Sequence, residues 1–436
     1  MPDNGVDPDN RKSTLYKPKY PIRFVTAAAL FDGHDASINI MRRVLQSAGA
    51  EVIHLGHNRS VDEVVTAAVQ EDAHGIAVSS YQGGHVEYFK YMVDLLSERG
   101  RPDIQIFGGG GGVIIASEIN ELHEYGISRI YSPHDGQLMG LTGMIYDMLE
   151  RVDRDLGDGL PKNISDLKTG DHAVLARIIS GLELGRVSKD FLDSIHAGSN
   201  RKSSIPVVGI TGTGGAGKSS LTDEIIGRFR LYSNEPKIAV VAVDPSRRKT
   251  KGALLGDRIR MNAINSKKIY MRSIATRDSQ SEVPPAIPYI IAACKTAGFD
   301  LIIIETPGIG QGDTAIVNYV DLSMYVMTPE FGAQSQLEKI DMLDFADVIA
   351  INKFDRKGAL DAMRDVRKQV QRNREAFDQR PDEMPVFGCI ASQFADIGVT
   401  GLYQNMLNQF TEKGLGDFVC SIEPVNVTES TPNQAI

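Results

Sequence analysis

The chain has 436 residues, room for about two to three domains, each with its own core. Its apolar fraction of 42% and charged fraction of 24% are those of a globular protein. A formal net charge of −9 with no basic stripe argues against a general nucleic-acid binder, and no apolar run approaches the roughly 18 residues of a membrane span. The three cysteines, Cys294, Cys389 and Cys420, are far apart and show no metal or redox spacing, which suggests reduced thiols in the cytoplasm. The acidic, polar N-terminus does not read as a secretory signal. All nine histidines precede residue 200, so any imidazole chemistry belongs to the first half.

Residues 1–20 are polar and without period, and read as a loose arm. From 21 to 152 short apolar runs alternate with helical patterns. The runs are Phe24–Ala28, Val52–Leu55, Ile76–Val78, Ile104–Phe107 and Ile127–Tyr131, each followed by a stretch with apolar residues every three or four positions. Such alternation predicts βαβ units and a five-stranded parallel sheet, with a ligand at the carboxyl ends of the strands.

Three loops at those ends stand out: Phe31-Asp32-Gly33-His34-Asp35-Ala36-Ser37, then Ser79-Ser80-Tyr81-Gln82-Gly83-Gly84-His85, then the run Gly108, Gly109, Gly110, Gly111 and Gly112. An imidazole in such a loop, with an acid two residues earlier, fits a metal ligand whose second nitrogen a carboxylate orients. Together the loops resemble the cobalamin-binding domain of B12-dependent mutases and methyltransferases, whose motif is Asp-x-His-x-x-Gly followed by Ser-x-Leu and Gly-Gly. Asp32 and His34 match; Ser37 stands in place of the family's Gly, and Tyr81 in place of its Leu. The resemblance implies a flavodoxin-like fold, with His34 as the lower ligand to cobalt and Asp32 as its hydrogen-bond partner. It also implies that Ser79 and the five glycines meet the dimethylbenzimidazole tail. A flavin-binding or ligand-free flavodoxin-like domain is the other reading. A lone loop histidine is more often solvated or structural than a ligand, and the remaining histidines are read that way, with His54 in the sheet and His85 left open.

Residues 153–200 begin as a linker rich in Asp, Gly, Pro and Asn. The amphipathic stretch Asp171–Leu184 and the cluster Phe191, Leu192 and Ile195 predict two helices packed onto the second domain. That domain spans residues 201–410. After the apolar run Ile205–Ile210 comes G-x-x-x-x-G-K-[ST] without a mismatch, and a helical pattern succeeds it at once. In that setting Gly212, Gly214, Gly215, Ala216, Gly217 and Ser220 cradle a di- or triphosphate with backbone N–H groups. Lys218 reaches the terminal phosphates, and Ser219 holds Mg²⁺.

Further runs at Ile238–Val243, Leu301–Ile304, Met324–Met327, Val348–Ile351 and Val386–Ile390 each end in a polar cluster. Asp244 closes the first. Glu305-Thr306-Pro307-Gly308 closes the second in the place of Asp-x-x-Gly, the acid for Mg²⁺ and the Gly308 N–H for the γ-phosphate. Asn352-Lys353-Phe354-Asp355 fits the guanine-reading Asn-Lys-x-Asp, in which Asp355 accepts from N1–H and the 2-amino group, so GTP is favoured over ATP. Ala391-Ser392 fits the loop whose backbone N–H meets the guanine O6. Asp257 is a further carboxylate for magnesium, and Gln311 a candidate for orienting water. Residues 411–436 lose periodicity and read as a trailing arm.

The strings around Asp244, Gly256-Asp257-Arg258-Ile259-Arg260-Met261 and Glu305 resemble the G-protein chaperones of methylmalonyl-CoA mutase, which implies a P-loop NTPase domain of the SIMIBI-like kind. Both halves in tandem resemble the N-terminal part of the fused isobutyryl-CoA mutases from about residue 21 to 410. The resemblance implies GTP hydrolysis to GDP coupled to loading, gating or protection of adenosylcobalamin. It also implies a homodimer, and a partner: the barrel that binds the acyl-CoA. No length remains here for that barrel, so the expectation is a truncated form of the fused enzyme or a separate subunit acting in trans. Two other classes stay open, a metallochaperone-type GTPase of the nickel-delivery kind and a corrinoid carrier.

Overall fold

A computed structural model describes residues 16–161, 163–167, 171–200, 202–247, 249–256, 258–277, 283–308, 313–332 and 334–431. The chain divides into two compact units. The first takes the chain up to Ala68, Ala73–Asp155 and Lys249–Ala253; the second takes Val69–Asp72, Leu156–Arg248 and Leu254 onward.

In the first unit β1 (Arg23–Ala28), α1 (Ala36–Ser47), β2 (Glu51–His54), α2 (Val61–Gln70), β3 (Gly75–Ser79), α3 (His85–Glu98), β4 (Gln105–Gly109), α4 (Ala116–Tyr125), β5 (Arg129–Tyr131) and α5 (Pro133–Val152) alternate. The strand order is β5-β4-β3-β1-β2, and every pairing is parallel. Val25 faces Ile53 on one side and Ile76 on the other. Chain direction reverses at β1, so the crevice of such a sheet opens where the loops after β1 and β3 part. Phe24, Phe107, Tyr131, Leu45 and Met148 fill the core on the face covered by α1 and α5. β4 runs two residues further than its apolar run, so Gly108 and Gly109 are strand residues.

The second unit begins with α6 (Ile164–Leu167), α7 (His172–Glu183) and α8 (Lys189–Asn200), then β6 (Val207–Gly212), α9 (Lys218–Tyr232), β7 (Ile238–Asp244) and the short β8 (Ala253–Leu255). Next come β9 (Ile269–Ala275), α10 (Ile287–Ala297), β10 (Leu301–Glu305), β11 (Leu322–Met327), α11 (Gln334–Leu337), α12 (Met342–Phe345), β12 (Val348–Asn352), α13 (Ala359–Asn373), β13 (Val386–Cys389) and α14 (Ile397–Glu412). Seven of these strands, β8 excepted, form one sheet in the order β13-β12-β11-β6-β10-β7-β9, all parallel. Leu175, Ile178, Ile179, Phe191 and Ile195 of α7 and α8 pack with α10 against one face. Leu221, Ile225 and Phe229 of α9 pack with Tyr403 and Phe410 of α14 on the other.

Among the departures from the sequence-based expectation, which include the short strand β8, two stand out. β9 is an additional strand, hidden because its centre is Arg272-Ser273. Arg272 is nonetheless 1% exposed, held by Glu183 Oε2 at 2.6 Å and Ser180 Oγ at 2.9 Å. The trailing arm is the second departure. Helix α14 runs to Glu412, and residues up to 431 hydrogen-bond to the second unit, with Ser430 only 3% exposed. Among the described residues no helix is long and apolar enough to cross a membrane.

Candidate functional sites

At the crevice of the first unit the loop after β1 carries Asp32 and His34. Asp32 is fully buried while the His34 side chain is 71% exposed. Asp32 Oδ1 lies 2.9 Å from His34 Nδ1 and accepts the His34 amide at 2.9 Å; Oδ2 accepts the Tyr81 amide at 2.7 Å. Burial works to raise the Asp32 pKa, but the two amides and the imidazole overcome it and hold the carboxyl below its ordinary value. The ring is thereby fixed through Nδ1, leaving Nε2 as the outward nitrogen.

Beneath this loop is a cavity of about 350 Å³ lined by Ile38, Met41, Ser79, Phe107, Tyr131 and Met144, among others. Gly108, Gly109, Gly110 and Gly111 also line it. The Ser79 hydroxyl is buried without a hydrogen-bond partner. A side chain at Gly110 would put Cβ 1.9 Å from Ser80 O, and one at Gly108 would meet Phe89 at 2.5 Å, so the backbone forms the wall here. A side chain at Gly112 would meet nothing within 4 Å, and this glycine is not among the lining residues. A mostly apolar slot with an orphaned hydroxyl and a bare-backbone wall fits a flat heteroaromatic tail bearing one polar atom. His85 is 6% exposed, with Nδ1 3.0 Å from Gln82 O and Nε2 3.0 Å from Glu118 Oε2, a tie between the first turns of α3 and α4 rather than a ligand. His54 ends β2 with Nδ1 2.9 Å from Thr26 Oγ1, and burial pushes it down to about 4.

In the second unit the phosphate loop turns from β6 into α9. Gly215 and Gly217 have φ of +75° and +85°, and Gly217 caps the helix. Lys218 is 9% exposed, its Nζ donating to Gly212 O and Pro307 O at 3.0 Å each and to Thr213 O at 3.4 Å. An ammonium gathered by carbonyls at the mouth of a helix N-terminus is poised to trade them for phosphate oxygens. Ser219 Oγ donates to Glu305 Oε1 at 2.7 Å, and Thr222, which the motif does not mark, donates to Oε2 at 3.3 Å. Gly308 has φ +68°, and a Cβ there would lie 1.6 Å from Gly212 O. Asp244 Oδ2 accepts the Gly256 amide at 2.6 Å. Asp257 and Gln311 lie outside the described residues. Arg258, next to Asp257, is 6% exposed and paired with Glu71, counted in this unit, at 3.0 Å.

Asn352 bridges two loops. Its Nδ2 donates to Ala216 O at 2.8 Å, and its Oδ1 accepts the Ala391 amide at 3.1 Å. Lys353, with φ +56°, donates to Gly215 O at 2.7 Å. Asp355 and Ser392 are exposed. The bridge engages the Ala391 amide, so Ser392 supplies the next backbone donor on the turn. Lys218, Ser219, Glu305, Gly308, Asn352 and Lys353 are thus gathered around one loop, with Asp244 at the end of a strand in the same sheet.

Comparison with known proteins adds to this geometry. A family model described as "Methylmalonyl Co-A mutase-associated GTPase MeaB" matches residues 175–413, and one described as "B12 binding domain" matches 22–127. The fused isobutyryl-CoA mutase of Cupriavidus metallidurans is 64% identical over 399 residues, covering 91% of this chain and 36% of its own length. Those of Geobacillus kaustophilus and Nocardia farcinica are 56% and 57% identical, covering 94% and 92% of this chain and 38% and 37% of theirs. The chain spans little more than a third of the length of these relatives.

Proposed function

Taking as premise that the chain belongs to the Methylmalonyl Co-A mutase-associated GTPase MeaB family, we propose that it hydrolyses GTP to load, gate or protect adenosylcobalamin for an acyl-CoA mutase. The observation that carries the cobalamin part is His34. It is an exposed imidazole, held through Nδ1 by a buried carboxylate, above a slot lined by the unpartnered Ser79 hydroxyl. The B12-binding match over residues 22–127 supports this reading over a nickel-delivery GTPase.

In this reading His34 Nε2 would ligate cobalt, Asp32 would keep the ring in the ligating tautomer, and Ser79 with Gly108 to Gly111 would receive the tail. When bound, adenosylcobalamin supplies radical chemistry through its cobalt–carbon bond. The acyl-CoA and the water-free cavity which that chemistry needs come from a barrel of the kind fused isobutyryl-CoA mutases would carry. In the second unit Lys218 and the loop amides neutralise the phosphates, while Ser219, Asp244, Asp257 and Glu305 serve Mg²⁺. Asp355 and the Ser392 amide read guanine, and Gln311 orients water. The working form is a cytoplasmic homodimer. A nucleotide-ordered switch makes the coupling, so cobalamin and barrel together should change GTP turnover.

The test is an absorbance titration with adenosylcobalamin beside a GTPase assay. The unaltered chain should shift the cobalamin spectrum and release phosphate from GTP, and His34→Ala should lose the spectral shift alone. An unchanged spectrum in that variant removes His34 as ligand. A corrinoid carrier would give colour without hydrolysis.

A further inference from the structure

The stretch after α14 is built into the second unit by more than contact. Ser421 N–H donates to Tyr232 O at 2.9 Å, Val425 N–H to Gln404 Oε1 at 2.8 Å and Gly388 N–H to Thr428 O at 2.8 Å, and Ser430 N–H returns to Gly388 O at 3.0 Å. Room for this strap comes from glycines. A Cβ at Gly401 would lie 2.2 Å from Val427 O, and one at Gly398 would lie 2.3 Å from Ser430 Oγ. Helix α14 thus gives up side chains where the strap crosses it.

The strap ends on a buried carboxylate. Ser430 Oγ lies 2.6 Å from Asp396 Oδ2 and 2.9 Å from Gly388 O, and its single proton goes to the nearer, charged oxygen; Asp396 is fully buried. The same oxygen accepts the Ile390 amide at 3.2 Å and the Val399 amide at 3.0 Å, so Asp396 fastens both ends of the turn between β13 and α14. Inside that turn Ala395 has φ +52°, a conformation that L-residues rarely adopt and that persists where surroundings over-determine it. The turn carries Ala391, tied to Asn352 and through it to the phosphate loop, and then the exposed Ser392. Hydrogen bonds therefore run from Ser430 through Asp396 to the start of the turn that carries Ser392.

We propose that Ser430 is a positioning residue for guanine recognition: through Asp396 it sets the height of the 390–396 turn, so that the Ser392 amide meets O6 of a guanine nucleotide. The proposal rests on the guanine-reading role given above to Ser392. Without the hydroxyl one of the three donors on Asp396 Oδ2 is lost, and the turn can drift away from the base while the phosphate loop keeps its form. Adenine has no acceptor at that position, so adenine nucleotides should not register the change.

The experiment uses the full chain and Ser430→Ala, with calorimetric titration of Mg-GDP and, separately, Mg-ADP. GDP affinity should fall about fivefold to tenfold and ADP affinity should stay within twofold, narrowing the preference for guanine. Unchanged GDP affinity, or equal losses for GDP and ADP, overturns the proposal, the second outcome marking a merely structural strap. If Ser430→Ala is insoluble, Ser430→Cys keeps the shape with a weaker donor and is read by the same ratio. An unaltered chain with no preference for GDP over ADP would bring down the guanine-loop reading itself, and the proposal with it.

Discussion

Ser37 Oγ lies 2.8 Å from the Tyr81 hydroxyl, joining the two positions at which the chain departs from the cobalamin-binding motif. Neither departure stands alone. Tyr81 brings a hydroxyl where a leucine has none, and Ser37 supplies the partner that a glycine lacks. The Tyr81 ring also stands 5.6 Å from the His34 ring, and its amide holds Asp32, so the bond ties the first turn of α1 to the loop after β3 beside the His34 imidazole. Tyr81→Phe and Ser37→Ala should each weaken adenosylcobalamin binding about threefold to tenfold. The double variant should be no worse than the weaker single, because both remove one bond. Spectral titration of the four proteins checks this, and additive losses would mean that the two side chains act separately.

The motifs legible in the sequence are those in which chemistry and position coincide within a few residues. The phosphate loop supplies its own glycines and its own lysine, and Asn352 to Asp355 are consecutive, so spacing alone placed them after strands. What escaped depends on partners remote in the chain. Arg272 made β9 look polar, since its counter-charge, Glu183, lies 89 residues earlier. Ser430 meets Asp396 across 34 residues that the periodicity does not connect, so the last stretch looked like an idle arm. Thr222 lies three residues beyond Ser219 on a helix whose motif ends earlier, and only the carboxylate of Glu305 reveals it. Backbone packing was equally invisible. The value of Gly110 comes from Ser80 O being 1.9 Å from where its Cβ would stand.

Lys218 and Glu305 separate nucleotide chemistry from cobalamin uptake. Lys218→Ala removes the ammonium from the phosphate loop and should reduce GTP hydrolysis at least a hundredfold, while leaving the adenosylcobalamin spectrum of the protein unchanged. Glu305→Gln keeps one acceptor oxygen, enough for Ser219 or Thr222 but not both, and discards the charge. It should raise the magnesium concentration needed for half-maximal hydrolysis about tenfold, with a smaller loss at saturating magnesium. Phosphate release across a magnesium series reads both. An unaltered magnesium dependence in Glu305→Gln would take that carboxylate out of the metal site.

His54 should make the first unit sensitive to mild acid. Burial chiefly, and then the Arg42 charge, hold its pKa down to about 4, against 6.5 for the free side chain. Between those values the unfolded chain binds a proton that the folded chain refuses. Stability therefore falls as pH drops from 6.5 toward 4 and levels off below. His123 shifts in the same sense, also through burial first. Asp32, a carboxyl held below its ordinary value, withdraws its support only below that window, as pH falls toward its folded pKa. His54→Asn keeps an acceptor near Thr26 and abolishes the titration. It should lose less unfolding-midpoint temperature between pH 7 and pH 4.5 than the parent. Equal losses would show that His54 is not a source of the slope.

Gly308 tests the assignment of the γ-phosphate. Its φ of +68° is one that a side chain strains, and its Cβ would stand 1.6 Å from Gly212 O. Gly212 cannot retreat, since its own Cα is pressed on β11, where an added Cβ would meet Val326 O at 1.9 Å. Two of the oxygens that receive Lys218 Nζ belong to Gly212 and Pro307, the residues that Gly308→Ala would push apart. The substitution should therefore cost about 1–3 kcal/mol of stability in the second unit. It should also weaken a non-hydrolysable GTP analogue more than tenfold, and GDP much less, if the Gly308 amide meets the third phosphate. Fluorescence competition between the two nucleotides measures the ratio. If both weaken alike, the damage is to the loop as a whole, and Gly308 does not read the third phosphate.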